Sequence, residues 1–192
     1  PAEVSNVFKM VAPCAWLDAE TAVGLAEVYG KVSVAMGRFE EEQLFCNRLD
    51  RLELPKAVVG LAAYREQAGA KGGWRLLALG ADGETRLHEI AADRRSPWRK
   101  HLGEIKLWTA QPVQAYTSVT MRDADTLLAA ADGQVIEFGR DHSDWKETGR
   151  WSDGFGPHLR LAVSAGRLAV ADAAKNRVAL YALSGRRKQA EA

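Results

Sequence analysis

The sequence predicts an all-β chain of about four repeated small sheets, and three observations carry the prediction. Apolar strand positions at Val32, Leu76, Leu127 and Leu168 recur 44, 51 and 41 residues apart, each just after a short Gly- or Asp-containing lead-in. Asp-Gly turns stand at 81–84 (ADGE) and 131–134 (ADGQ), each following an apolar strand and preceding another. A further strand opens each unit. A period of about 40–50 residues assembled from short strands marks the blades of a β-propeller.

The units fall near 16–54, 55–108, 109–153 and 154–183, in a single propeller-like domain over 1–183. The first opens on TAVGLAEV and continues with YGKVSVAM. Helix competes for DAETAVGLAEVYG, since Asp18 can cap it, but the period and the Val content favour strand. The second unit reads KAVVGLAAY, GWRLLALG, TRLHEI, and the third reads QAYTSVTM, TLLAAADGQVIEF. The fourth reads HLRLAVSA, GRLAVAD, NRVALYAL; in GRLAVAD, Leu168 and Val170 alternate with smaller residues, the pattern of a half-buried strand. Charged or loop-like inserts separate the units at 38–43, 65–73 and 93–104.

Two ends need placing. After Tyr181 the tail 184–192 is polar and basic and reads as disordered, so the last unit lacks a fourth strand. At the front, EVSNVFKMVAP can be a strand with no partners of its own. Either it completes the last blade and closes the ring, or the chain, which starts at Pro1, is a segment of a larger propeller whose open edges pair with a companion chain, a second copy or a missing portion.

Bulk composition excludes several function classes. With 26 basic and 25 acidic side chains the net charge is +1, so no global field draws in nucleic acid or a membrane surface. No apolar run approaches the ~20 residues of a spanning helix. Cys14 and Cys46 are too few for a disulfide framework and lack metal-ligand spacing; a bridge and two free thiols both remain open, and so does the compartment.

The last unit resembles an NHL-repeat blade. The matching positions are Pro157, Leu161-Ala162-Val163, Gly166, Leu168 to Asp172, Asn176-Arg177-Val178 and Tyr181. The specific match covers 155–183; the other units share spacing and alternation alone. In such a blade Asp172, Asn176 and Arg177 are expected to hold a turn by side-chain-to-backbone hydrogen bonds. Some NHL-like propellers are lyases that hold a metal with histidines near the axis. Here His158 alone sits at a matching place, which falls short of the three ligands a catalytic metal needs. His88, His101 and His142 fall at unrelated positions, so no metal or other cofactor is expected.

No nucleophile elbow, activated cysteine or phosphate-cradling loop appears. The run Glu40–Glu42 reads as a solvated loop. For binding, Arg95, Arg99 and Lys100 surround Trp98 in a Pro-containing loop, where cations and an aromatic plane suit an anionic polymer. Near the axis His158 and Arg160 add a second candidate pair. The sequence therefore predicts a non-catalytic binding module that presents loops of a rigid disc to a protein or glycan ligand. The rival is a propeller lyase or hydrolase whose site is completed by another chain or a missing segment.

Overall fold

The computed structural model describes residues 9–17, 21–28, 31–40, 43–49, 52–64, 74–90, 99–185 and 187–191. Every regular element among them is a strand. The first sheet is a meander of β1 (Lys9–Trp16), β2 (Thr21–Val28), β3 (Lys31–Glu40) and β4 (Gln43–Leu49). The second runs β5 (Val58–Tyr64), β6 (Trp74–Gly80), β7 (Thr85–Ile90) and β8 (Arg99–Glu104). In the third, the short β9 (Leu107–Trp108) lies parallel to the outer strand of β10 (Tyr116–Asp123), β11 (Thr126–Ala131), β12 (Gln134–Asp141) and β13 (Asp144–Trp151). The fourth holds β14 (Leu159–Ser164), β15 (Arg167–Asp172), β16 (Arg177–Ala182) and β17 (Arg187–Glu191). Neighbouring strands within each meander are antiparallel. The chain is a four-bladed β-propeller.

The first strand of each blade lines the centre, where β1 packs on β5, β5 on β10, and β10 on β14. Apolar layers fill the three interfaces between consecutive blades. Val23, Leu25 and Met36 of blade one meet Leu61, Leu76 and Ile90 of blade two. Tyr64, Leu77 and Leu79 meet Leu127, Phe138 and Trp145 of blade three, with Tyr64 and Trp145 edge to face at 6.2 Å. Leu128, Ala130 and Val135 then meet Leu159, Leu168 and Tyr181 of blade four. A strand sandwiched this way is apolar on both faces, which explains the unbroken run TLLAAA of β11.

Turn chemistry closes the hairpins. Asp132 (φ 50°) and Gly133 (φ 72°) form a two-residue turn with both residues left-handed, as ADGQ predicts. Around Asp82-Gly83 the loop is wider. There the Asp82 carboxylate accepts the Glu84 amide at 2.9 Å, Gly83 alone takes positive φ (88°), and Gly80 N–H donates to Glu84 O at 2.8 Å.

Three expectations about the ends are corrected. The N-terminal strand does not complete the last blade: β1 pairs with β2 and founds the first blade. TAVGLAEV is consequently the second strand of that blade, and Val32 lies on its third, out of register with Leu76, Leu127 and Leu168 on second strands. The tail is ordered in part. Arg187–Glu191 pairs with β16 as the fourth strand of the last blade. As an outer strand whose residues 188–191 are exposed it needs backbone partners rather than an apolar face, so its polar sequence hides it.

Candidate binding surface

Strand register aligns the blades residue by residue. Leu76, Leu127 and Leu168 each stand opposite an inner-strand residue, respectively Ala63, Met121 and Val163. The positions that face the following blade are therefore Leu77 and Leu79, then Leu128 and Ala130, then Ala169 and Ala171. The first four are fully buried, while Ala169 and Ala171 are only half-buried. Beside them Ala162 is exposed, Leu180 and Ala182 are half-buried, and Val178 is 42% exposed. Among the described residues no packing comparable to the three inter-blade contacts joins β14 to β1. The outward face of blade four is open.

On that face lies a cavity of about 240 Å³ lined by Arg160, Ala171, Asp172, Asn176, Arg177 and Val178, among others. It gathers four residues singled out from the sequence. Asp172 ends β15, and its buried carboxylate accepts the Gly156 amide at 2.9 Å, on the approach to β14. Its main-chain oxygen accepts Lys175 N–H at 3.2 Å, and Asn176 closes the loop to β16 in the left-handed region (φ 49°). The Gly156 N–H chiefly, with the Lys175 N–H and the Arg177 guanidinium, holds the Asp172 carboxyl below the usual range despite its burial.

Arg177 ties this turn to its surroundings. Its Nε lies 3.5 Å from Asp172, Nη1 donates to Glu191 at 2.8 Å, and Nη2 donates to the Asp153 carbonyl at 2.8 Å. The guanidinium also stacks 5.4 Å from the centre of the Phe155 ring. Next to it, Asp153 accepts from Tyr181 Oη at 2.9 Å and from Lys188 Nζ at 2.8 Å. Those two bonds lower the Asp153 pKa, and burial together with the Asp153 bond raises the Tyr181 hydroxyl to about 12.

Arg160 is different. Its exposed side chain makes one hydrogen bond, from Nη1 to the Thr117 carbonyl of blade three. His158 is exposed just before β14, its carbonyl accepting the Ala173 amide at 3.2 Å. The basic group anticipated around Trp98 lies elsewhere. Arg95 and Trp98 fall outside the described residues. Arg99 and Lys100 belong not to a loop but to β8, opposite Ile90 and Glu89 on the rim of blade two. Pro97 and the neighbouring charges disguise an edge strand as a loop. Thus Arg99 and Lys100 sit on a different blade from Arg160.

A second cavity, of about 270 Å³, occupies the centre, lined by inner-strand residues such as Ala15, Ala62, Val119 and Leu161. Exposed Trp16 and Cys14, a free thiol, border it. Among the described residues, no three His, Cys, Asp or Glu side chains are grouped to hold a metal ion. The residues that sequence reasoning missed are Ala169, Ala171 and Val178. The signal was present: alanines stand where preceding blades mostly carry leucine.

No family model matches the chain, and no curated protein matches it in sequence. Solved structures do. A protein from Lactobacillus plantarum is 17% identical with a TM-score of 0.51, the match covering 90% of this chain and 52% of that one. Sqt1 from Chaetomium thermophilum is 16% identical with a TM-score of 0.48, covering 86% and 40%. Apo AztD from Citrobacter koseri is 14% identical with a TM-score of 0.45, covering 93% and 45%. At 17% identity the first likeness is one of fold. The chain spans about half the length of these structures.

Proposed function

We propose that this chain is a non-catalytic binding module whose principal surface is the open face of its fourth blade. The observation that carries the reading is the contrast along one register: Leu77, Leu79, Leu128 and Ala130 are sealed between blades, while Ala169 and Ala171 are not. An exposed apolar sheet face with a cavity in it is the form an interaction site takes. The partner is a polypeptide. The fourth blade is read as NHL-like, with Asp172, Asn176 and Arg177 as its turn and strut residues. Arg99 and Lys100 on β8, with Arg95 and Trp98 beside them in sequence, are a separate basic contact suited to an anionic protein or glycan, and His158 belongs to the edge of the main surface.

The test is a panning experiment. Displayed peptides selected on the full chain and counter-selected on V178D should yield a set that binds the parent and not the variant. A pool that binds both alike contradicts the reading. A162E, on the same face, must give the same result, and thermal melts of both variants check that they fold.

A further inference from the structure

At two of the three contacts between blades, a small residue stands at one place. On β5 it is Gly60, where an added Cβ would come within 2.5 Å of Val119 Cγ1 and 2.8 Å of the Val119 amide nitrogen on the next blade. On β10 the equivalent residue is Ser118, whose hydroxyl oxygen accepts Leu161 N–H from blade four at 3.1 Å. In both cases the backbone of the following inner strand lies against a side chain no longer than serine. On β14 the same place holds Arg160. Its side chain is long, charged and exposed, and Nη1 donates to the Thr117 carbonyl of blade three.

The face that Arg160 guards is nonetheless apolar. Val178, Ala171 and Ala162 lie open on it, and the cavity between Arg160 and Val178 holds about 240 Å³. Charge within the cavity is not balanced. Asp172 faces Arg177, which also answers Glu191, while among the described residues Arg160 makes no ion pair and its single bond is to a neutral carbonyl. One guanidinium remains, with a fork of donors suited to one carboxylate.

We propose that the open face of blade four seats an extended segment of a partner polypeptide in which an acidic side chain stands beside aliphatic ones. The carboxylate pairs with Arg160, and an aliphatic neighbour fills the cavity next to Val178. This rests on the binding-module reading and narrows its partner.

The full chain is titrated with acetyl-Val-Leu-Asp-Leu-Val-amide and with the same peptide carrying Asn or Lys in place of Asp, followed by NMR. The expected result is that the Asp peptide binds at least about tenfold more tightly than the Asn peptide, the scale of one charge-assisted hydrogen bond. R160E abolishes that preference, R160K keeps part of it, and rising salt weakens it. Equal binding of the three peptides, a preference untouched by R160E, or no saturable binding overturns the proposal. A mass of twice 21.0 kDa that V178D returns to the monomer also overturns it, since a second copy then holds the face. Equal binding with Val178-dependent panned peptides leaves the broader reading standing; failure of the panning as well removes both.

Discussion

Ser118 and Arg160 hold the same place on the first strands of consecutive blades, yet Ser118 bonds the backbone of the next blade while Arg160, exposed, bonds the Thr117 carbonyl of the preceding one. That difference separates an interface from a surface. At Gly60 and Ser118 the backbone of the following inner strand lies close against this position.

Gly60 gives the sharpest check of that closeness. Alanine there would press on the Val119 backbone, which cannot swing away as the end of a flexible side chain could. G60A is expected to cost about 1–3 kcal/mol, at roughly 2–4 °C in Tm per kcal/mol for a chain of this size. Thermal unfolding measures it. A variant that melts with the parent would place the two inner strands farther apart than described.

The hairpin between β14 and β15 carries a correctable fault. Ala165 (φ 47°) and Gly166 (φ 72°) form a two-residue turn, and alanine is strained in the left-handed region where asparagine is at ease. A165N should therefore stabilise the protein by about 0.5–1 kcal/mol. Denaturant titration reads this as a higher midpoint at unchanged slope; a lower midpoint would refute the assigned turn.

Acid should weaken the carboxylate contacts of blade four. Asp172 is held below the usual carboxylate range chiefly by the Gly156 amide, Asp153 by Lys188 and Tyr181, and Glu191 by Lys188 and Arg177. Groups depressed on folding contribute stability that is complete above their unfolded pKa, about 4, and is lost as pH falls through their folded values. Tm is thus expected to be flat above about pH 5 and to fall below about pH 4. In D153N the Tm at neutral pH should drop and the acid slope should flatten. An acid slope identical to the parent's would remove Asp153 from the account.

How far the sequence carries depends on what each strand must bury. GRLAVAD announced a half-buried strand through large-small alternation, and β15 has one sealed face and one open face. TLLAAA lost that alternation because both of its faces are covered. The ends were hidden for different reasons. β1 contains Pro13 at a register shift between Val11 and Cys14, which reads as a break in the strand, and without it the first blade was registered one strand late. β17, RKQAE, sits at a rim with residues 188–191 exposed, so composition alone made it a tail. The cavity on blade four was partly visible, since Arg160, Asp172, Asn176 and Arg177 each stood out locally. Their convergence with Val178 depends on strand pairing across β14, β15 and β16, which no local pattern states.

The open face of blade four can be tested at a matched pair of positions. Ala130 and Ala171 are equivalent residues on the second strands of blades three and four, the first fully buried and the second lining the cavity. Each is replaced by cysteine, as A130C and A171C, in a chain lacking Cys14 and Cys46, and the rate of labelling by a small thiol reagent is followed under native conditions. The account predicts that A171C labels orders of magnitude faster than A130C, which must wait for blades three and four to part. Equal protection of the two thiols would mean that the fourth blade is covered, and the proposed binding surface would not exist.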